Sequence, residues 1–155
     1  MAISQINSNS LASGVPSSAN MPTGSVLQVV TASINNRYST SSSSFVGIGP
    51  TLTITPRSTS SRILLMTSLS VQQNGYTYYT FMRNGTNVSA GNGIFTWSQT
   101  VNTSWANTSY NFVDSPATTS AISYQIGVAA TASSFYLNDN SSSNLSQLIA
   151  MEIAG

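Results

Sequence analysis

The chain has 155 residues, 40% hydrophobic and only 5% charged, with four arginines, three carboxylates and neither lysine, histidine nor cysteine. These absences exclude a Ser-His-Asp or Cys-His nucleophile, a thiolate or imidazole zinc site and a disulfide framework. Four scattered arginines form no basic stripe for nucleic acid, and no apolar run approaches the roughly 20 residues of a membrane span.

Acid/base chemistry would fall to Asp114, Asp139 and Glu152, no two of which are close in sequence, so no enzyme, cofactor or metal site is expected. A soluble chain is expected too, because the N-terminus lacks the charged and apolar regions of a secretory signal. Ser, Thr and Asn supply about two fifths of the residues, well above ordinary usage, and satisfy turns and strand surfaces without charge.

Residues 1–24 are rich in Ser, Asn, Ala, Gly and Pro and keep neither the strand nor the helix period. They read as an extended arm, with Ile3, Ile6, Leu11, Val15 and Met21 as its anchoring residues. From 25 to 155 the pattern is that of strands. "SVLQVVTAS" is a β-branched run, and "TLTITP" alternates Leu52 and Ile54 with threonines until Pro56, which cannot donate to a ladder. After "RSTSS", Ile63, Leu65, Leu69 and Val71 share one face with Thr67. "QQNG" then predicts a tight hairpin, since Asn-Gly supplies positive φ.

"YTYYTFMR" places Tyr76, Tyr78 and Met82 on one face and Tyr79 and Phe81 on the other, which predicts a strand buried on both sides. "NGTN" is the next turn. "IFTWSQTV" and "TSWANTSYNFV" are further strands, followed by "AISYQIGVAA", with Ile122, Tyr124, Ile126 and Val128 in alternation, and by the short "SFYL". "NDNSSSN", with Asp139, reads as a loop. "LSQLIAMEIAG" closes the chain with Ile149, Met151 and Ile153 on one face. Eight to ten strands at 8–15-residue spacing, without a helix, predict an all-β fold, a jelly-roll-like antiparallel β-sandwich preceded by the arm.

Arg57 and Arg62 bracket the "RSTSS" turn, which reads as a corner whose hydroxyls cap free backbone groups. Carboxylates are so few that Arg62 or Arg83 is expected to pair with Asp114 or Glu152, Arg62 with Glu152 being the pair of choice. Six Asn-X-Ser/Thr triplets, at Asn84, Asn87, Asn102, Asn107, Asn140 and Asn144, follow from composition and carry no argument.

"GSVLQVV", "ITPRSTSSRILLM", "RNGT", "DSPATTSAISYQI" and "LIAMEIAG", in that order over residues 24–155, resemble a domain of virion structural proteins from tailed bacteriophages. The resemblance implies a compact trimeric jelly roll of the tumour-necrosis-factor and C1q type, with an aromatic-rich strand and the final strand near the threefold axis. Tyr76, Tyr78, Met151 and Ile153 are then the subunit-interface candidates. The expected role is a homotrimeric capsid decoration protein on the virion surface, docked on the major capsid protein through its arm. The chain has no heptads, collagen triplets or β-helix repeats from which to build a shaft. The alternative is a tail-fibre tip in which Trp97, Trp105 and Tyr110, set among hydroxyls and amides, read a host surface glycan. A lectin-like module outside viruses shares these features.

Overall fold

A computed structural model describes residues 21–89, 91–99, 105–131, 134–138 and 145–155. Eleven strands are found among them, and no helix: β1 (Val26–Ile34), β2 (Tyr38–Thr40), β3 (Val46–Ile54), β4 (Arg62–Gln73), β5 (Gly75–Arg83), β6 (Thr86–Asn87), β7 (Phe95–Gln99), β8 (Ala106–Asp114), β9 (Ile122–Thr131), β10 (Phe135–Leu137) and β11 (Ser146–Ile153). The fold is all-β, two antiparallel sheets packed face to face as a β-sandwich.

The front sheet runs β1-β11-β4-β8. The short strands β10 and β2 extend it on the β11 side, where β4 continues to Gln73 past the end of β11. The back sheet runs β3-β9-β5, with β7 and β6 in line along the free side of β5.

Period-2 alternation decides what goes between the sheets. Ile63, Leu65, Leu69 and Val71 of β4 point inward, as do Leu148 and Ala150 of β11 and Ile122, Tyr124, Ile126 and Val128 of β9. At the centre, Tyr79, Phe81, Phe95, Tyr110 and Phe135 form a ring cluster with centroids 4.9 to 6.3 Å apart, the range in which tilted and edge-on aromatic pairs are favourable. The phenol groups find partners inside: Tyr79 Oη donates to Gln73 Oε1 at 2.5 Å and Tyr110 Oη to the Thr80 carbonyl at 3.1 Å.

The hairpin expected at "QQNG" does not form. β4 and β5 belong to different sheets, so the link at Asn74 crosses the sandwich, with Gly75 at φ 85°. Both strands already have ladders on each side, β11 and β8 for β4, β9 and β7 for β5, which leaves no edge where they could pair. The hairpin is at the following Asn-Gly: Asn84 (φ 49°) and Gly85 (φ 79°) make the two-residue loop between Arg83 and Thr86, the double positive φ of a type I′ turn.

The strand "YTYYTFMR" is buried on both faces only in part. Tyr79 and Phe81 enter the core, while on the outer face Thr80 and Met82 are buried, Tyr78 is half-buried and Tyr76 is 57% exposed. Asn87 and Ser89 fold against that outer face and hydrogen-bond Thr80 Oγ1.

"RSTSS" is the corner by which the chain passes from the back to the front sheet. Ser58 Oγ accepts the Ser60 amide at 3.2 Å, and the Ser58 carbonyl accepts the Ser61 amide at 3.2 Å.

Candidate functional site

The two carboxylates of the described chain, Asp114 and Glu152, are built into the joints of the sandwich. Arg83 ends β5 on its inward side and Asp114 ends β8 on its inward side, so the two meet across the gap between sheets. Arg83 Nη1 donates to both Asp114 oxygens at 2.9 Å, and the buried Tyr124 hydroxyl on β9 donates to Asp114 Oδ2 at 2.6 Å. One carboxylate thus ties back-sheet strands β5 and β9 to the edge strand of the front sheet. Burial, followed by the hydrogen bond to the Asp114 carboxylate, raises the Tyr124 phenol well above its ordinary range. Burial likewise raises Tyr79 and Tyr110.

Glu152 makes the second joint. It is fully buried on the inward side of β11, where Gln28 Nε2 donates to one oxygen at 2.5 Å and the Arg57 amide to the other at 2.6 Å. Gln28 also donates to the Thr55 carbonyl, so the first strand, the last strand and the corner after β3 are held at one point.

This corrects the expected Arg62–Glu152 pair. Arg62 is exposed and opposes Ile153, one position out of step with Glu152. Successive strand residues face opposite sides of a sheet, so Arg62 points outward and Glu152 inward. Among the described residues the ion pair that forms is Arg83–Asp114.

The three aromatics expected to read a glycan are not gathered on a surface. Tyr110 is 7% exposed and belongs to the central ring cluster, and Trp97 opposes Thr77 on the inward side of β7, packed against the core. Trp105 is half-buried just before β8. An inward-facing position on a strand cannot be told from an outward one by composition alone, and the Ser/Thr/Asn neighbours that suggested a binding surface are the opposite face of the same strands.

The four interface candidates separate into two pairs. Met151 and Ile153 lie half-buried on the outer face of the front sheet, Tyr76 and Tyr78 on the outer face of the back sheet. The thickness of the sandwich stands between them. Of the anchoring arm, Ile3, Ile6, Leu11 and Val15 lie outside the described residues. Met21 lines a cavity at the end of the sandwich with Leu27, Arg57 and Ala154. Asp139 also lies outside the described residues.

What composition did not single out is the rest of the front sheet's outer face. Register places Val29, Met151, Leu64 and Val113 in one row across β1, β11, β4 and β8. The next row is Thr31, Ile149, Met66 and Asn111. The signal was present in "ILLM" (63–66) and "LIAM" (148–151), two runs in which alternation fails because both faces are apolar, and of which 64–66 and 149–151 lie opposite each other.

Neither the models of known protein families nor the curated proteins contain a match to this chain.

Proposed function

We propose that this chain is a structural protein of a virus particle, a homotrimeric capsid decoration protein of a tailed bacteriophage, with the arm docking on the major capsid protein. The sandwich is read as a jelly roll: the longer strands run β1-β11-β4-β8 in the six-stranded front sheet and β3-β9-β5-β7 in the five-stranded back sheet, with the chain passing repeatedly between them.

The observation that carries the structural role is how the carboxylates are spent. Asp114 and Glu152, the two described acids, are turned inward, and every one of their oxygens accepts a hydrogen bond that joins separate segments of the fold. A general acid or base needs a free proton site facing a substrate, and neither group offers one.

The arm has a defined exit. Gly24 donates to the Ala154 carbonyl and Ala154 to the Ser25 carbonyl, both at 2.8 Å, so the chain enters β1 beside the end of β11. Residues 1–20 therefore join the domain at that end of the sandwich. The glycan-reading alternative is the weaker one, because Tyr110 and Trp97 face the core.

The test is light-scattering mass of the pure protein, followed by sedimentation with undecorated capsids, comparing the full chain with a version lacking residues 1–20. Co-sedimentation that requires those residues is expected. A folded full-length protein that ignores capsids would remove the decoration reading.

A further inference from the structure

The outer face of an antiparallel sheet in contact with water ordinarily carries polar residues at alternate positions. The back sheet obeys this along β3 and at both ends of β9, where Thr51, Thr53, Ser123, Gln125 and Thr131 face out, while β5 turns Tyr76, Tyr78 and Met82 to the same side singly among threonines. The front sheet does not. Its first cross-strand row, Val29, Met151, Leu64 and Val113, is wholly apolar, and Ile149, Met66 and Ile153 extend it on either side. Val29 is 51% and Val113 50% exposed. All described strands belong to the two sheets, and the back sheet packs on the other side, so no described strand covers this face.

We propose that this face is buried against further copies of this chain, and that it, without Tyr76 and Tyr78, is the subunit contact. The inference deepens the reading above, resting on it for the existence of an oligomer, and names the surface. Charge supports a like partner. Asp114 and Glu152 point inward, so the row of Val29, Met151, Leu64 and Val113 and the row of Ile149 and Met66 hold no charge to attract a charged partner, and Arg62, opposite Ile153, stands at the edge of the face where it keeps its water.

Area supports it too. Four strands at about 4.8 Å and nine residues at about 3.3 Å give the face a plan of roughly 19 by 30 Å, or about 570 Å², before side-chain relief is added. A stable interface takes about 800 Å² of accessible surface from each partner, which a corrugated face of this plan approaches. The polar remainder, Ser33, Gln147, Ser68 and Ser109 in the row beyond Met66, supplies the rim that such interfaces have around an uncharged centre.

The experiment uses the full chain and light-scattering mass, with circular dichroism to verify folding. Val29→Lys/Val113→Lys places charges where both side chains already reach water, so the single chain keeps its fold, and Met66→Lys places one at the centre. Thr53→Lys is the control on the outer back face. The wild type is expected at a multiple of the 16.3 kDa chain mass, both front-face variants at the single-chain mass with unchanged dichroism, and the control at the wild-type mass. A wild type that is monomeric at every concentration overturns the inference, as does a folded Val29→Lys/Val113→Lys variant that keeps the wild-type mass, or a control that dissociates. Capsid sedimentation separates the two readings. An oligomer that binds capsids and keeps its mass despite front-face charge sinks this inference alone, and an oligomer broken by front-face charge that ignores capsids sinks the decoration reading alone.

Discussion

Replacing Asp114 by Ala removes the acceptor of three hydrogen bonds, two from Arg83 at 2.9 Å and one from Tyr124 at 2.6 Å. The costs are unequal. The Arg83 side chain is 37% exposed and rehydrates when its partner is lost, which limits its share to about 1 kcal/mol, near the upper end for exposed pairs. Tyr124 is fully buried, and a phenol left without an acceptor there costs about 1–3 kcal/mol. Asp114→Ala is therefore expected to destabilise by about 2–4 kcal/mol, and Arg83→Ala by about 1–2 kcal/mol, because the carboxylate keeps its bond from Tyr124.

The decisive quantity is the coupling in a double-mutant cycle, measured by urea unfolding followed through tryptophan fluorescence. For Arg83→Ala with Asp114→Ala a coupling of about 1–2 kcal/mol is expected, and for Arg62→Ala with Glu152→Ala additivity within about 0.5 kcal/mol. Additivity at Arg83 and Asp114, or clear coupling at Arg62 and Glu152, would refute the assignment of the ion pair and with it the account of how the edge strand β8 is tied to the back sheet.

Alkali should unfold the protein steeply. The phenols of Tyr79, Tyr110 and Tyr124 are raised above 10.0, so above that pH the unfolded chain releases protons that the folded chain retains, and stability falls as pH rises. Their contribution is complete below about pH 10 and declines above it by about 1.4 kcal/mol per pH unit for each tyrosine. Tyrosinate absorbance should therefore rise for these residues together with loss of dichroism, and their reversible titration in a folded protein near pH 10 would contradict the burial argument. Gly127→Ala should destabilise by about 1–3 kcal/mol through overpacking. Its Cβ would lie 2.6 Å from Thr80 Cγ2 and 2.8 Å from Met82 Sδ, and Thr80 is fixed by its bonds to Asn87 and Ser89. Chemical denaturation measures this, and an unchanged midpoint would mean that the loop over Thr80 yields.

The longer strands, the inward faces of β4 and β9 and the class of fold were legible in the sequence, because they depend on period-2 alternation and turn chemistry within a few residues. The odd positions of β4 and the even ones of β9 entered the core as their spacing predicted. Which sheet each strand joined was not legible. The turns at 55–61 and at Asn74 look like local links, yet each carries the chain from one sheet to the other, since strand partners are chosen by which ladder edges remain open across the whole domain.

The same limit governs the charged groups and the surface. Asp114 meets Arg83 across 31 positions, and Glu152 meets Gln28 across 124, so no local pattern could distinguish those partners from Arg62. Trp97 and Tyr110 had polar neighbours in sequence but apolar neighbours in space, because adjacent residues of a strand face opposite ways. The apolar outer row is assembled from Val29, Leu64, Val113 and Met151, which come from four strands far apart along the chain. Only the register of four strands turns them into one surface.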